Sequence, residues 1–158
     1  MLRLLKYLKP YVLLIVLTIA QKFSMGVSIL REEKFVENNI EVRLANYLDQ
    51  AQQKWTITAA TNAGGYPGSP YFKITIAGTD RALAATADGE IVAVPSFTSS
   101  PEQLWRIDQL TDGTFRIMPK AIPHSGEPLA LTAVGSSTPT LAKFDPVSYK
   151  ARWSLKAP

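Results

Sequence analysis

Three tryptophans at nearly equal spacing constrain the fold of this chain more than any other feature. Trp55, Trp105 and Trp153 lie 50 and 48 residues apart, and each is followed two positions later by an aliphatic residue. An internal period of this length indicates a repeated structural unit that buries its apolar face against its neighbours. A chain of 158 residues is also the length of one ordinary domain. The spacing therefore predicts three copies of one unit around a shared core.

Aromatic residues recur at fixed distances before each tryptophan. Tyr47, Phe97 and Phe144 precede the three tryptophans by eight, eight and nine residues. Farther upstream, alternating apolar segments begin at Phe23, Phe72 and Phe115. Alternation at period two is typical of a strand with one buried face. The three repeats are therefore predicted at about residues 23–61, 71–110 and 114–158.

Turn residues separate the predicted strands. Asp88-Gly89 and Asp112-Gly113 are strong turn signals because both residue types tolerate positive φ, and residues 62–70 form a longer loop between units one and two. A unit of about four short strands cannot bury its apolar face alone, whereas three units around a pseudo-threefold axis close a barrel. The fold class is therefore predicted to be all-β, with the tryptophans and the preceding aromatics in the core.

The first twenty residues have the pattern of a leader. Three positive charges (Arg3, Lys6 and Lys9) precede a continuous apolar run of ten residues at 11–20, which is half the length that a membrane-spanning helix needs. The pattern predicts a signal peptide at 1–20 and a folded domain at 21–158, in a secreted or cell-envelope protein. An uncleaved membrane anchor is the alternative. Residues 1–20 also resemble the start of the first membrane helix of bacterial ABC exporters.

Composition excludes several classes of function. Without the three leader charges, 14 basic residues face 13 acidic ones, so no basic face indicates nucleic acid binding. The chain has no cysteine, and His124 is its single histidine. The spacings typical of calcium, phosphate and zinc sites are absent from the sequence. The sequence therefore predicts neither a metal, nor a cofactor, nor a catalytic centre.

A short motif at the tryptophans resembles a known family. Gln53-Lys54-Trp55 and Gln103-Leu104-Trp105 are similar to the Gln-x-Trp signature of ricin-type β-trefoil lectins, while the third copy reads Ala151-Arg152-Trp153. The resemblance covers residues 23–158 and implies a β-trefoil with three pseudo-repeats. It also implies a structural repeat core and a binding module without chemistry of its own. That core comprises Tyr47, Gln53, Trp55, Phe97, Gln103, Trp105, Phe144 and Trp153.

The resemblance further implies where sugar sites would lie. The family combines an Asp, a Gln, an aromatic platform and an Asn in each pocket. The platform positions fall near Ala45, Pro95 and Ala142, none of which is aromatic, and in unit three the Asp and Gln positions fall near Ala130 and Thr140. The sugar sites are therefore expected to be degenerate. Unit one is the best remaining candidate, with Asn38, Asn46 and Gln52 as polar groups and Tyr66 as a stacking face.

Several functions remain open at this point. The first is a carbohydrate-binding accessory module of an exported protein, with a glycan or polysaccharide as a weakly bound partner. The second is a protein-interaction scaffold of the same fold without sugar binding, in which the candidate amides are ordinary turn and surface residues. A third is a module separated from a longer enzyme. Membrane contact is expected only through the N-terminal segment, if that segment stays uncleaved.

Overall fold

The structure of this chain, a computed structural model, describes residues 12–18, 22–27, 39–66, 69–135 and 138–157. Short β-strands account for most of this part of the chain. Two single-turn 3-10 helices, Ala51–Gln53 and Pro101–Gln103, directly precede the strands that begin at Trp55 and Trp105. Within the described residues, the structure contains no helix of the length and apolar character needed to span a bilayer.

The strands divide into three units of four. Unit one comprises β1 (Val12–Thr18), β2 (Lys22–Val27), β3 (Ile40–Asn46) and β4 (Trp55–Ala59). A small hairpin of β5 (Gly65–Tyr66) and β6 (Ser69–Pro70) follows it. Unit two comprises β7 (Phe72–Ile76), β8 (Ala82–Ala85), β9 (Ile91–Val94) and β10 (Trp105–Gln109). Unit three comprises β11 (Phe115–Pro119), β12 (Leu129–Val134), β13 (Thr138–Lys143) and β14 (Trp153–Lys156).

The first and fourth strands of the units form a closed barrel. In the described residues, β1 pairs with β4, β4 with β7, β7 with β10, β10 with β11, β11 with β14, and β14 with β1. The second and third strands of each unit pair as antiparallel hairpins. Closure leaves the barrel without an exposed strand edge. The predicted all-β trefoil with three pseudo-repeats is confirmed.

The three tryptophans lie at the centre of the fold. Trp55, Trp105 and Trp153 are fully buried. The indole Nε1 of Trp105 donates to the main-chain oxygen of Leu83 at 2.9 Å, and Trp153 makes the same bond to Leu131 at 2.9 Å. Both acceptors lie on the second strand of their own unit. A buried indole N–H needs such a partner, so these bonds fix each hairpin against the barrel.

Aliphatic side chains from the barrel strands and the hairpins complete the core. They include Ile57, Ile74, Leu83, Ile107, Ile117 and Leu131, each at 1% exposure or less. In β7 the burial alternates strictly, with Phe72, Ile74 and Ile76 inside and the residues between them half-buried. This is the period-two pattern by which the sequence predicted the strands.

Two predicted turns are confirmed. Asp88-Gly89 lies between β8 and β9, where Thr86 and Glu90 hydrogen-bond across the turn, and Gly89 has φ 78°. Asp112-Gly113 joins β10 to β11, so it connects units two and three, and Gly113 has φ 83°. Both glycines occupy the left-handed region, which side chains rarely adopt, and this explains the residue type at each position.

The first unit begins earlier in the structure than the sequence indicated. Residues 22–27 form the second strand of the unit, and Val12–Thr18 takes the barrel position that β7 and β11 occupy in the other units. Alternation around Phe23 cannot distinguish a first strand from a second, and a short continuous apolar run is compatible with a strand as well as with a leader. Residues 1–11 and 19–21 lie outside the described residues. Leader cleavage after Ala20 stays a prediction.

Candidate functional site

The glutamine of the repeat motif secures the loop that follows the third strand. In unit one, Gln53 is 5% exposed. Its Nε2 donates to the main-chain oxygen of Asn46 at 2.7 Å, and its Oε1 accepts from the main-chain N–H of Leu48 at 2.8 Å. The amide therefore hydrogen-bonds to the main chain at both of these residues, and this stabilises the loop.

Unit two repeats this arrangement and unit three replaces it. The Oε1 of Gln103 accepts from the main-chain N–H of Thr98 at 2.7 Å. Ala151 stands at the corresponding place in unit three and is buried. There Arg152 holds the loop instead, because its guanidinium donates to the main-chain oxygen of Pro146 at 2.6 Å and pairs with Asp112. The motif residues thus support loops rather than present groups to a ligand.

The aromatics that precede the tryptophans differ from the sequence interpretation. Tyr47, Phe97 and Phe144 were expected in the core, but all three are only half-buried. They lie where the chain leaves the third strand, at the barrel surface. The Nζ of Lys73 lies 5.6 Å from the ring centre of Phe97, and the guanidinium of Arg116 lies 5.0 Å from that of Phe144. The spacing in the sequence predicted that these aromatic residues recur, but it did not predict how far each side chain is buried.

The candidate sugar residues of unit one are only partly brought together. Asn46 and Gln52 flank one surface loop, whose main chain is tied to Gln53. The side-chain amide of Gln52 donates to that of Gln50. Tyr66 belongs to the separate β5–β6 hairpin, where it pairs with Ser69. Asn38 lies outside the described residues.

The positions that the family resemblance implied in unit three are occupied by small side chains. Ala130 is fully buried, and Thr140 donates its hydroxyl to the main-chain oxygen of Gly89 at 3.0 Å. Ala142 is half-buried and offers only a methyl group. These residues provide neither a carboxylate nor an aromatic face.

A groove beside unit three is a candidate site, and we call it the unit-three groove. It has a volume of about 580 Å³, and its lining combines apolar and charged side chains. The apolar lining residues are Met118, Pro128, Leu129 and Phe144, and the charged ones are Arg106, Arg116, Glu127 and Lys143. Such a mixture suits a ligand with both C–H faces and hydroxyl groups.

A carboxylate beneath the groove holds two of its arginines. Asp108 accepts from the Nε of Arg106 at 2.8 Å and from an Nη of Arg116 at 2.8 Å. The Asp108 side chain is only 15% exposed, whereas those of Arg106 and Arg116 are 44% and 28% exposed. Since Arg116 also stacks over Phe144, its guanidinium is restrained from two sides and faces the groove with little freedom to lose on binding.

A second depression extends this groove. Its volume is about 310 Å³, and it shares Arg106, Met118, Glu127 and Pro128 with the first. It continues to Tyr71 and Lys120. The Nζ of Lys120 lies 5.0 Å from the ring centre of Tyr71 and donates to the main-chain oxygen of Ala63 at 2.5 Å. The two depressions share lining residues and therefore adjoin each other.

Sequence reasoning missed the unit-three groove because its residues come from four separate segments: β10, β11, the start of β12 and the end of β13. One feature of the sequence did point to part of this groove. A basic residue directly follows the opening aromatic in both Phe72-Lys73 and Phe115-Arg116. Each of these cations contacts the aromatic that follows the third strand of its own unit. In the part of the chain that the structure describes, no three His, Cys, Asp or Glu residues cluster in a manner suited to a metal ion.

Solved structures of the same fold are numerous at low sequence identity. One is a mosquitocidal holotoxin, 13% identical with a TM-score of 0.72, where the match covers 96% of this chain and 18% of that one. A second is ThreeFoil, a designed threefold-symmetric protein, 19% identical with a TM-score of 0.66 over 90% and 96%. A third is a Polyporus squamosus lectin, 14% identical with a TM-score of 0.68 over 95% and 50%. These likenesses show the fold.

The sequence itself matches a family description. No curated protein matches this chain. The family model of the ricin-type β-trefoil lectin domain-like proteins matches residues 51–141, which is more than half of the chain. The match includes both Gln-x-Trp motifs and ends within β13. Together with the closed barrel of three four-stranded units, it shows that this chain belongs to the ricin-type β-trefoil lectin domain-like family.

Proposed function

We propose that this protein is a carbohydrate-binding module without chemistry of its own, and that the saccharide lies in the unit-three groove. The observation that supports this most strongly is the composition of the groove. Its lining combines apolar side chains with two arginines whose orientation is restrained by ion pairs with Asp108. A pyranose ring has the same two kinds of surface.

The groove offers complementary groups for each part of a sugar. The apolar side chains of Met118, Leu129 and Phe144 can pack against a C–H face of the ring. The guanidinium of Arg116 provides hydrogen-bond donors for sugar oxygens, and the carboxylate of Glu127 accepts from hydroxyls. Because the groove is open and shallow, the binding is expected to be weak, as for a module that holds a long chain through repeated contacts.

Membership of the family supports the same conclusion. The Polyporus squamosus lectin of similar fold was solved bound to the trisaccharide Neu5Acα2-6Galβ1-4GlcNAc. In this chain, however, the residues that the family pocket uses are replaced, while the unit-three groove draws on β10 of the neighbouring unit. The proposed site is therefore displaced from the family position, and its residues must be tested directly.

The arrangement of carboxylates supports a role without catalysis. Asp108 forms ion pairs with both Arg106 and Arg116, and Glu127 is exposed on the lip of the groove. Glycoside hydrolysis uses two carboxyl groups on opposite sides of the scissile bond, one of them kept protonated. Asp108 is held in ion pairs with both arginines, and Glu127 is the single carboxylate among the residues that line the groove, so purified protein is expected to turn over no glycoside.

As the place of action we propose the cell exterior or the cell envelope. The support is the charged start of the chain followed by ten apolar residues at 11–20. Fractionation of cells that express the full chain, followed by N-terminal sequencing, tests this. Full-length protein recovered from the cytoplasm would contradict export.

A glycan array with matched variants tests the binding proposal. Arg116→Ala is expected to weaken glycan binding about tenfold or more, because a hydrogen bond from a charged donor contributes about 1.5–3 kcal/mol. Lys73→Ala removes the cation at the equivalent position of unit two and serves as the control. The proposal fails if no glycan is retained, or if both variants weaken binding equally.

Exposed apolar side chains favour one alternative, a protein-interaction scaffold. Val147 is 84% exposed and Tyr149 is 62% exposed, both on the loop before β14. Under this alternative, a defined protein would co-purify with the chain, and Val147→Ser together with Tyr149→Ser would release it. Retention of glycans by that double variant at wild-type affinity separates the two functions.

A further inference from the structure

We infer that the unit-three groove selects acidic saccharides, in which a carboxylate or a sulfate ester is attached to the sugar. This inference rests on the proposed function and adds the charge of the ligand to it. It follows from three observations on the groove: its excess of positive charge, the way its guanidinium groups are fixed, and the position of an uncompensated lysine.

The charges along the groove do not balance. Arg106, Arg116 and Lys143 line its main part, and Lys120 lines the adjoining depression. Only Glu127 opposes them on the surface, while Asp108 lies beneath as the partner of both arginines. Four cations against two carboxylates leave the groove positive. Since residues 21–158 as a whole are nearly neutral, this excess is a local feature and not a consequence of overall charge.

The geometry of Arg116 favours an oxyanion over a hydroxyl. A guanidinium presents its donors in a planar fork that matches the two oxygens of a carboxylate or two of the three oxygens of a sulfate. Asp108 uses one Nη of Arg116, and the ring of Phe144 lies under its plane. The side chain nevertheless keeps 28% of its surface exposed at the groove. It is thus oriented before any ligand arrives.

Lys143 provides the second anchor. It lies at the end of β13, next to Phe144, and its side chain is exposed. Within the part of the chain that the structure describes, Lys143 takes part in none of the ion pairs. Its ammonium group can therefore approach an anionic substituent without first breaking another contact. Positive charges in a groove with apolar walls also raise the local concentration of anionic ligands.

An array of matched acidic and neutral glycans tests the inference. Sialylated, uronate-containing and sulfated glycans are each compared with the same glycan lacking the acidic group, at low salt and again at high salt. Acidic members are expected to bind about tenfold more tightly at low salt, with the advantage reduced at high salt because exposed charges are screened. The carboxylate and sulfate arms show which oxyanion is preferred.

Two lysine variants test whether the preference for acidic glycans arises from the groove. Lys143→Gln is expected to reduce the preference for acidic over neutral glycans several-fold. Lys150→Gln, an exposed lysine of the same unit outside the groove, is expected to leave the preference intact. The inference is overturned if acidic and neutral glycans bind with equal affinity, or if Lys143→Gln does not change the preference for acidic glycans. In either case the proposed function stands. Absence of binding to every glycan overturns both.

Discussion

Gln53 and Gln103 connect a sequence motif to a loop conformation through single side chains. Each is nearly buried, and each accepts a hydrogen bond from a main-chain N–H five residues earlier. Once the loop packs on the barrel, water cannot take over the hydrogen bonds that this buried amide makes. The recurrence of glutamine before tryptophan is therefore explained by main-chain satisfaction, which requires no ligand.

Replacing one of these glutamines is expected to destabilise the fold. Gln103→Ala removes the hydrogen bond from the main-chain N–H of Thr98 to a buried amide, and such a hydrogen bond contributes about 0.5–1.5 kcal/mol to stability. Urea unfolding followed by tryptophan fluorescence measures the loss. Gln109→Ala, at an exposed position in β10, is the control and is expected to change the free energy of unfolding little. Equal stability of Gln103→Ala and wild type would refute the structural role.

Asp112 makes stability dependent on acid pH. Hydrogen bonds from the hydroxyl and the main-chain N–H of Thr114, together with the Arg152 guanidinium, lower the pKa of Asp112 from 3.8 to about 2. Since the folded-state pKa lies below the unfolded value, the contribution is fully present above the unfolded pKa. It is lost as the pH falls from about 4 through about 2.

The matching variant is Asp112→Asn. Its free energy of unfolding is expected to lie below that of wild type at pH 6, and the difference is expected to shrink as the pH falls through this window. Asp80→Asn, at an exposed position, provides the control. Chemical denaturation at several pH values measures the trend. A constant difference between wild type and Asp112→Asn over the whole range would count against this account.

At the scale of elements, β1 shows why an apolar run is ambiguous. Val12–Thr18 pairs with β14 on one side and with β4 on the other, so it completes the barrel. The same residues lie within the run that predicts a signal peptide. Both structures need continuous apolar sequence of similar length, and periodicity alone cannot separate them.

Two truncated chains separate these interpretations of residues 1–20. A chain that begins at Gln21 lacks β1 and is expected to lose cooperative thermal unfolding, because β4 and β14 are left as open edges. A chain that begins at Val12 keeps the strand and is the control. Circular dichroism and size-exclusion chromatography compare both with the full chain. Equal melting temperatures for the two truncations would show that the barrel does not need β1.

At the scale of the whole molecule, the period of the tryptophans was sufficient to predict three units and a closed β-barrel. Each tryptophan is buried to the same extent because the pseudo-threefold axis places equivalent positions together. Where the sequences of the three units differ, the structure was predicted less accurately. The apolar run at residues 11–20 predicts a leader and Val12–Thr18 forms a barrel strand, so leader cleavage stays a prediction. The burial of Tyr47, Phe97 and Phe144 was overestimated.

The candidate site is also a property of the assembled molecule. Arg106 comes from unit two, whereas Arg116, Lys143 and Phe144 come from two segments of unit three. No local pattern in the sequence joins these residues, because their proximity depends on the pairing of β10 with β11. The motif positions that the resemblance indicated lie close together in the sequence, and for that reason they could be identified from the sequence alone.

Mapping of a bound saccharide by amide chemical-shift changes tests the central claim most directly. Titration of the full chain with an array-selected acidic glycan is expected to shift the amides of Arg106, residues 116–129 and residues 143–144, which surround the unit-three groove. The shifts in unit one around Asn46 and Gln52 are expected to stay small. Shifts concentrated in unit one, or spread evenly over the barrel, would contradict the proposed site.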